Sequence, residues 1–288
     1  MNSLKKEEKL QNTIKAILFN LGVVLFLQAF FIQGYSTPTG SMENTILIGD
    51  RMFFNQFIYG ASSPRTIPFT SVKLPYFKLP SVREPQKGDV VNFEFPGNRD
   101  EVEPAEYVQY LKRIVGEPGD KIEIADRVLY VNGKIFPNAP QSKFMGNIMP
   151  KGVSNPDIFP KNSGWNEDNY GPLVVPKKGD VIKLWRENLE MWRVFIQREG
   201  HRVEMSVDGI KIDGVDTDEY TVERDYFFMM GDNRNNSLDS RFLGFVPREN
   251  IVGKALITYW SWNPDIPFSN LSELISSIRW DRIGKLIK

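Results

Sequence analysis

Three polar segments hold the side chains that could do covalent chemistry. In residues 36–50, STPTGSMENTILIGD, Ser41 follows Gly40, and glycine permits a backbone shape that exposes the next side chain. Alone, a Gly-Ser pair carries very little weight and far more often marks a solvated loop serine. In residues 109–120, QYLKRIVGEPGD, Lys112 interrupts an apolar strand pattern and, with period two, shares a face with Tyr110 and Ile114. A lysine must be neutral to accept a proton, and burial can lower its pKa to ~5–6 in extreme cases. A solvent-facing lysine on an edge strand is the competing reading. In residues 231–247, GDNRNNSLDSRFLGFVP, turn formers surround Asp232, Arg234, Asp239 and Arg241. These charges read as a braced loop rather than a floppy surface turn.

Composition narrows the chemistry. The 288-residue chain has no cysteine, which excludes disulfides, Cys-based zinc sites and a Cys nucleophile. It has one histidine, His201, in the charged run REGHR. A Ser-His-Asp triad would have to use that residue, and a His-rich metal site cannot be built. No metal or other cofactor is expected. The net charge is zero, so nothing points to nucleic acid as a partner.

Elements must position these residues, and the first is an apolar stretch. Residues 14–32 read IKAILFNLGVVLFLQAFFI, near the ~20 residues that span a bilayer. Lys15 sits at its end, where the ammonium can snorkel, while Asn20 and Gln28 are modest penalties. A cleaved signal peptide fits less well, because GYSTPTG is a weak cleavage site and an apolar h-region is usually ~7–15 residues. A buried soluble helix is disfavoured by the absence of charge between Lys15 and Glu43. Lys5, Lys6, Lys9 and Lys15 precede the stretch, and the next basic residue is Arg51. The expectation is therefore a cytoplasmic N-terminus at 1–13, a single transmembrane anchor at 14–33 and an outer catalytic domain. The C-terminal residues 271–287 carry too many charges to span.

Beyond the anchor the sequence predicts a mostly β fold. Short runs follow turn signals: VVNFEF after Gly88-Asp89, KIEI after Gly119-Asp120, VIKLW after Gly179-Asp180. The phrase KGDV occurs at 87–90 and 178–181 and reads as a turn feeding a strand rather than a repeat. Asn132-Gly133 and Asp208-Gly209 predict hairpins. YFFMM and IVGKALITYW read as buried strands. Prolines mark a long loop at 60–86, and 137–176 is irregular. Ser269 or Asn270 caps a short helix through about Ile278, with 271, 274, 275 and 278 on one face packed against the body.

The strings PTGSMENTILIGD, KGDVVNFEFP, YLKRIVGEPGD and GDNRNNSLDSRFLGFVP, in that order and with the ending SIRWDRIGKLI, resemble the type I signal peptidases, or leader peptidases. They cover roughly a quarter of the chain. The resemblance implies a β-rich catalytic domain (34–125 and 226–288) with an inserted β subdomain at 126–225. It implies a Ser41–Lys112 dyad, in which neutral Lys112 activates Ser41 and later the deacylating water. Thr39 stands where the family places an oxyanion hydroxyl, some relatives having serine there. Ser237 matches the serine that hydrogen-bonds and orients the lysine, and Met42 matches a residue lining the pocket for a small substrate side chain. Asp239 and Arg241 match a bracing pair, whereas Asn235 departs from the family's common aspartate.

The implied function is removal of N-terminal signal peptides from exported preproteins with small residues at −1 and −3, at the bacterial cytoplasmic membrane. The lipid bilayer is the other partner. Self-cleaving repressors lack the anchor, and the S-x-x-K pattern of penicillin-binding enzymes fails at Asn44. The alternative outside enzymes is a catalytically inactive, membrane-anchored scaffold that binds exported proteins.

Overall fold

Alternating and continuous apolar runs punctuated by Gly-Asp turns build a β-dominated molecule. The computed structural model describes residues 2–61, 75, 77–106, 108–207 and 209–288, and among these the side chains of 2–8, 25–30, 32 and 33 lie outside the description. Most of the expected 60–86 loop and Asp208 of the second hairpin thus fall outside the described residues.

Helix α1 (Asn2–Phe30) contains most of the expected anchor. Its described apolar side chains face solvent on every side, with Ile17, Leu18 and Phe19 60–72% exposed. Among the described residues no helix is long and apolar enough to cross a membrane. After α1 come β1 (Ile32–Ser36), β2 (Asp50–Asn55), β3 (Val90–Glu94) and β4 (Gln109–Gly116).

The chain then enters the middle region through β5 (Lys121–Ala125), β6 (Val128–Val131), β7 (Lys134–Ile135) and β8 (Tyr170–Val174), which form a four-stranded sheet. Next come β9 (Val181–Lys183), helix α2 (Leu189–Arg198), β10 (Val203–Met205), β11 (Ile210–Ile212), β12 (Val215–Asp216) and β13 (Glu219–Thr221). The return is made by β14 (Tyr226–Met230), helix α3 (Ser240–Leu243), β15 (Val246–Pro247) and β16 (Ile251–Ser261). The main sheet runs β1-β2-β16-β3-β4-β14-β15.

Turn chemistry explains the strand starts. Gly88, Gly119 and Gly179 adopt φ of 89–90°, which glycine tolerates without strain. In each case the following aspartate accepts from the backbone N–H three residues earlier: Asp89 from Gln86, Asp120 from Glu117, Asp180 from Lys177. The KGDV duplication is this turn used twice. Asn132 and Gly133, with φ of 54° and 75°, form the expected two-residue hairpin between β6 and β7.

Strand β14 is buried throughout, and its period-two faces serve two cores. Tyr226, Phe228 and Met230 pack with Val115, Ile122 and Tyr170, while Phe227 and Met229 pack with Val91, Phe93 and Ile114. The middle region and the main sheet therefore share β14 as a common wall. Strand β16 differs from the expectation of a buried strand. Ile251, Gly253 and Ala255 are buried but their neighbours are only half-buried, since one face of this antiparallel sheet stays uncovered. The C-terminal helix α4 (Leu271–Ser276) is capped by Asn270 and ends two residues early. Only Leu274 of its apolar face is buried; Leu271 and Ile275 are 58% and 56% exposed. The terminus is held instead by Arg282, which clamps Asp50 and donates to the Thr45 carbonyl.

Candidate active site

Ser41 sits in a single 3-10 turn, Gly40–Met42, that follows β1 after an extended Thr39. Such a turn sends successive side chains in different directions. Ser41 points to a cavity of about 450 Å³ whose walls include Tyr35, Thr39, Tyr110, Lys112 and Leu238. Met42 points the other way, fully buried, where its sulfur accepts from the Asp232 N–H at 3.4 Å. Met42 therefore belongs to the core behind Ser41 and not to the cavity wall, contrary to the pocket role expected for it.

Lys112 comes from the centre of β4. Its Nζ lies 2.9 Å from Ser41 Oγ and 3.0 Å from the Leu111 carbonyl, and 5.3 Å from the centre of the Tyr110 ring. The shared face with Tyr110 is the one period two predicts. Only 3% of Lys112 is exposed, and among the described residues no carboxylate lies within salt-bridge distance of it. Burial pulls its pKa down to about 8; Asp239 raises it and Arg241 lowers it, so these two charges oppose each other. An appreciable fraction of neutral amine exists near neutral pH, which is what a general base requires. Thr39 Oγ1 lies 3.3 Å from Ser41 Oγ and lines the same cavity.

The third segment forms the floor. Asp239 caps α3 and is gripped by Arg241 through bonds of 2.9 and 2.8 Å, both residues being buried. Burial raises the Asp239 pKa, but Arg241 more than offsets it and holds the carboxyl below its usual range. Asp232 is gripped by Arg113 at 2.9 and 2.7 Å and accepts from Thr45 Oγ1 at 2.6 Å. Arg234 is buried with its guanidinium 5.6 Å from the Phe144 ring and its Nε without a partner; burial pulls its pKa down to about 10.

Ser237 is the exception among the expected contacts. Its Oγ is buried but makes no hydrogen bond of ordinary geometry, although it lies near enough to Asp239 to help hold that carboxyl low. The bond to Lys112 expected of it is not formed; the amine meets Ser41 Oγ and the Leu111 carbonyl instead. Asn235 Oδ1 accepts from the Met145 N–H at 2.7 Å, an exposed contact away from the dyad. His201 is bridged by Asp213 and Glu223 at 2.7 and 3.0 Å and takes no part in the cavity.

Other residues at the site carry little sequence signal. Asn233 donates its backbone N–H to the Ser41 carbonyl at 3.0 Å and its side-chain amide to the Gly40 carbonyl at 3.0 Å. Arg113, next to Lys112, supplies the partner of Asp232. Gly231 is needed for close approach: a Cβ there would lie 2.3 Å from Ser237 Oγ and 2.6 Å from the Ser41 carbonyl oxygen. Gly40, the glycine that the sequence makes suggestive, would tolerate a Cβ, which would meet Asn236 at 3.5 Å and Ile48 at 3.9 Å.

Among the described residues no cluster of His, Cys, Asp or Glu could hold a metal ion. The arrangement is a hydroxyl within hydrogen-bond reach of a buried amine that has no carboxylate partner among the described residues, above a floor of neutralised charges, a geometry suited to acyl transfer.

The chain is similar to known proteins along most of its length. The chain matches the family described as signal peptidase, peptidase S26, over residues 10–260. It is 31% identical over 284 residues to the signal peptidase I of Pseudomonas aeruginosa, covering 94% of this chain and 79% of the relative. It is 30% identical over 295 residues to that of Rickettsia typhi, covering 99% and 96%. The signal peptidase I of Aquifex aeolicus is 28% identical over 297 residues, covering 91% and 93%. The chain belongs to the signal peptidase family, peptidase S26.

Proposed function

We propose that this chain is a serine endopeptidase that removes N-terminal signal peptides from exported preproteins, with Ser41 as nucleophile and Lys112 as general base. The observation that carries the assignment is the 2.9 Å approach of a buried, unpaired Lys112 Nζ to Ser41 Oγ. Neutral Nζ takes the hydroxyl proton as Oγ attacks the scissile carbonyl. The oxyanion is stabilised by the Ser41 N–H and the Thr39 hydroxyl. The ammonium returns the proton to the leaving amine, the peptide bond breaks, and an ester to Ser41 remains. Neutral Lys112 then takes a proton from water, whose oxygen attacks the ester; the ammonium returns that proton to Ser41 Oγ as the ester bond breaks and the acid is released.

Substrates with small residues at −1 and −3 fit this proposal by family likeness. So do a membrane anchor at 14–33 and a catalytic domain on the outer side of the bacterial cytoplasmic membrane. The anchor rests on the apolar, basic-flanked sequence and on the solvent-facing apolar side chains of α1. Residues 34–125 and 226–288 form the proposed catalytic core, with 126–225 inserted.

The test is cleavage of a preprotein carrying alanine at −1 and −3 by the full chain in detergent. Wild type cleaves, while Ser41→Ala and Lys112→Ala each lose all measurable cleavage with unchanged circular dichroism. Normal processing by Ser41→Ala overturns the assignment. A wild type that binds the preprotein without cutting it establishes the scaffold reading instead.

A further inference from the structure

The irregular stretch inside the inserted region reaches the nucleophile. Lys143 forms a parallel bridge with Asn233: its N–H donates to the Asp232 carbonyl and its carbonyl accepts from the Arg234 N–H, both at 2.9 Å. Its side chain continues to the nucleophile turn, with Nζ 2.9 Å from Glu43 Oε2. The same carboxylate oxygen accepts from Asn233 Nδ2 at 3.2 Å, and that amide also donates to the Gly40 carbonyl at 3.0 Å.

The Gly40 carbonyl and the Ser41 N–H belong to one peptide unit, in which a trans bond points them in opposite directions. Whatever holds the carbonyl therefore aims the N–H. Asn233 is 1% exposed, and its Oδ1 has no hydrogen-bond partner. Only the amide's two donor contacts, to Gly40 and to Glu43, set which way it faces. A reversed amide would turn its oxygen toward a carbonyl and a carboxylate, which is repulsive.

We propose that Glu43 and Lys143 are positioning residues. They hold the Asn233 amide in register so that it fixes the Gly40–Ser41 peptide and directs the Ser41 N–H at the developing oxyanion. An ion pair as exposed as this one (35% and 40%) contributes little to folding stability on its own. Its value lies in the peptide it aims. The inference rests on the proposed peptidase reading, and it gives this part of the insert a role in catalysis rather than decoration.

Steady-state cleavage of the same preprotein by the full chain tests it. Glu43→Ala lowers kcat and kcat/KM together by about 10-fold, less than outright loss of an oxyanion donor, with KM and Tm unmoved. Glu43→Gln, which keeps an acceptor for Asn233, recovers most of the rate. Lys143→Ala falls in between, and Lys143→Arg is close to wild type. The double variant Glu43→Ala/Lys143→Ala is no slower than Glu43→Ala alone, since both act through one amide. Unchanged kcat in Glu43→Ala, a change confined to KM, or multiplicative losses in the double variant overturn the inference while wild-type cleavage leaves the peptidase reading intact. A wild type that does not cleave overturns both.

Discussion

Two buried cations stand within one loop of each other and are treated in opposite ways. Arg241 is locked to Asp239, as Arg113 is to Asp232 and Arg282 to Asp50, each pair almost wholly buried. Lys112 is buried just as deeply but meets a hydroxyl, a carbonyl and the Tyr110 ring, with no carboxylate in salt-bridge distance among the described residues. A charge removed from water must either find a counter-charge or be given up. The floor uses the first solution and the mouth of the cavity uses the second. Pairing makes Arg241 a permanent strut, and lack of pairing leaves Lys112 able to lose its proton, as the proposed base must.

Breaking that contrast at the mouth gives the largest effect. Lys112→Met removes the amine while keeping the apolar stem. Cleavage falls by at least about 10³-fold. Tm stays level or rises, because an unpaired buried amine has been replaced by an apolar chain of similar volume. Lys112→Arg does not rescue the rate, since a guanidinium stays charged. A substantial rate in Lys112→Arg would remove Lys112 as the base. Thr39→Val comes next, slowing kcat by up to about 10²–10³-fold if its hydroxyl is a principal oxyanion donor. An unchanged kcat would take Thr39 out of the oxyanion hole.

Breaking the contrast at the floor affects folding. Asp239→Asn leaves Arg241 buried without its counter-charge and lowers unfolding free energy by about 3–5 kcal/mol in a denaturant titration. Equal loss in Lys112→Met and Asp239→Asn would erase the distinction between the two cations. The mildest perturbation is pH. With the Lys112 pKa near 8, kcat/KM climbs up to about tenfold per unit on the acid side and levels off above 8. The same depressed value means the folded state binds fewer protons than the unfolded one between pH about 8 and the usual lysine range. Lys112 therefore contributes stability that increases with pH across that window, and Lys112→Met removes that contribution.

The sequence made the dyad legible because both members lie in short strings with strong local character. Ser41 follows a turn, and Lys112 breaks an apolar strand whose period is visible by eye. The Gly-Asp turns and the β6–β7 hairpin were legible for the same reason: their chemistry is confined to a few neighbouring residues. What escaped depends on contacts across the chain. Asn233 matters because of Gly40, 193 positions earlier, and nothing in its own neighbourhood marks it. Gly231 matters because Ser237 and Ser41 crowd it, whereas Gly40, the suggestive glycine, is conformationally ordinary. Met42 was assigned to the pocket by likeness and lies behind it, since one residue around a 3-10 turn changes the direction of a side chain. The half-open face of β16 was likewise illegible, because an apolar run does not say whether both faces are covered.

One junction has a metric consequence. Helix α1 ends at Phe30 and β1 begins at Ile32, so Phe31 alone separates them, and β1 is registered to β2 along its whole length. There is almost no slack between the two. With α1 seated in a bilayer, the height of Ser41 above the lipid is a built-in offset rather than the reach of a flexible leash. On the proposed membrane placement the enzyme would work as a depth gauge, with the distance of a bond from the membrane deciding whether it can be cut before any side chain is recognised.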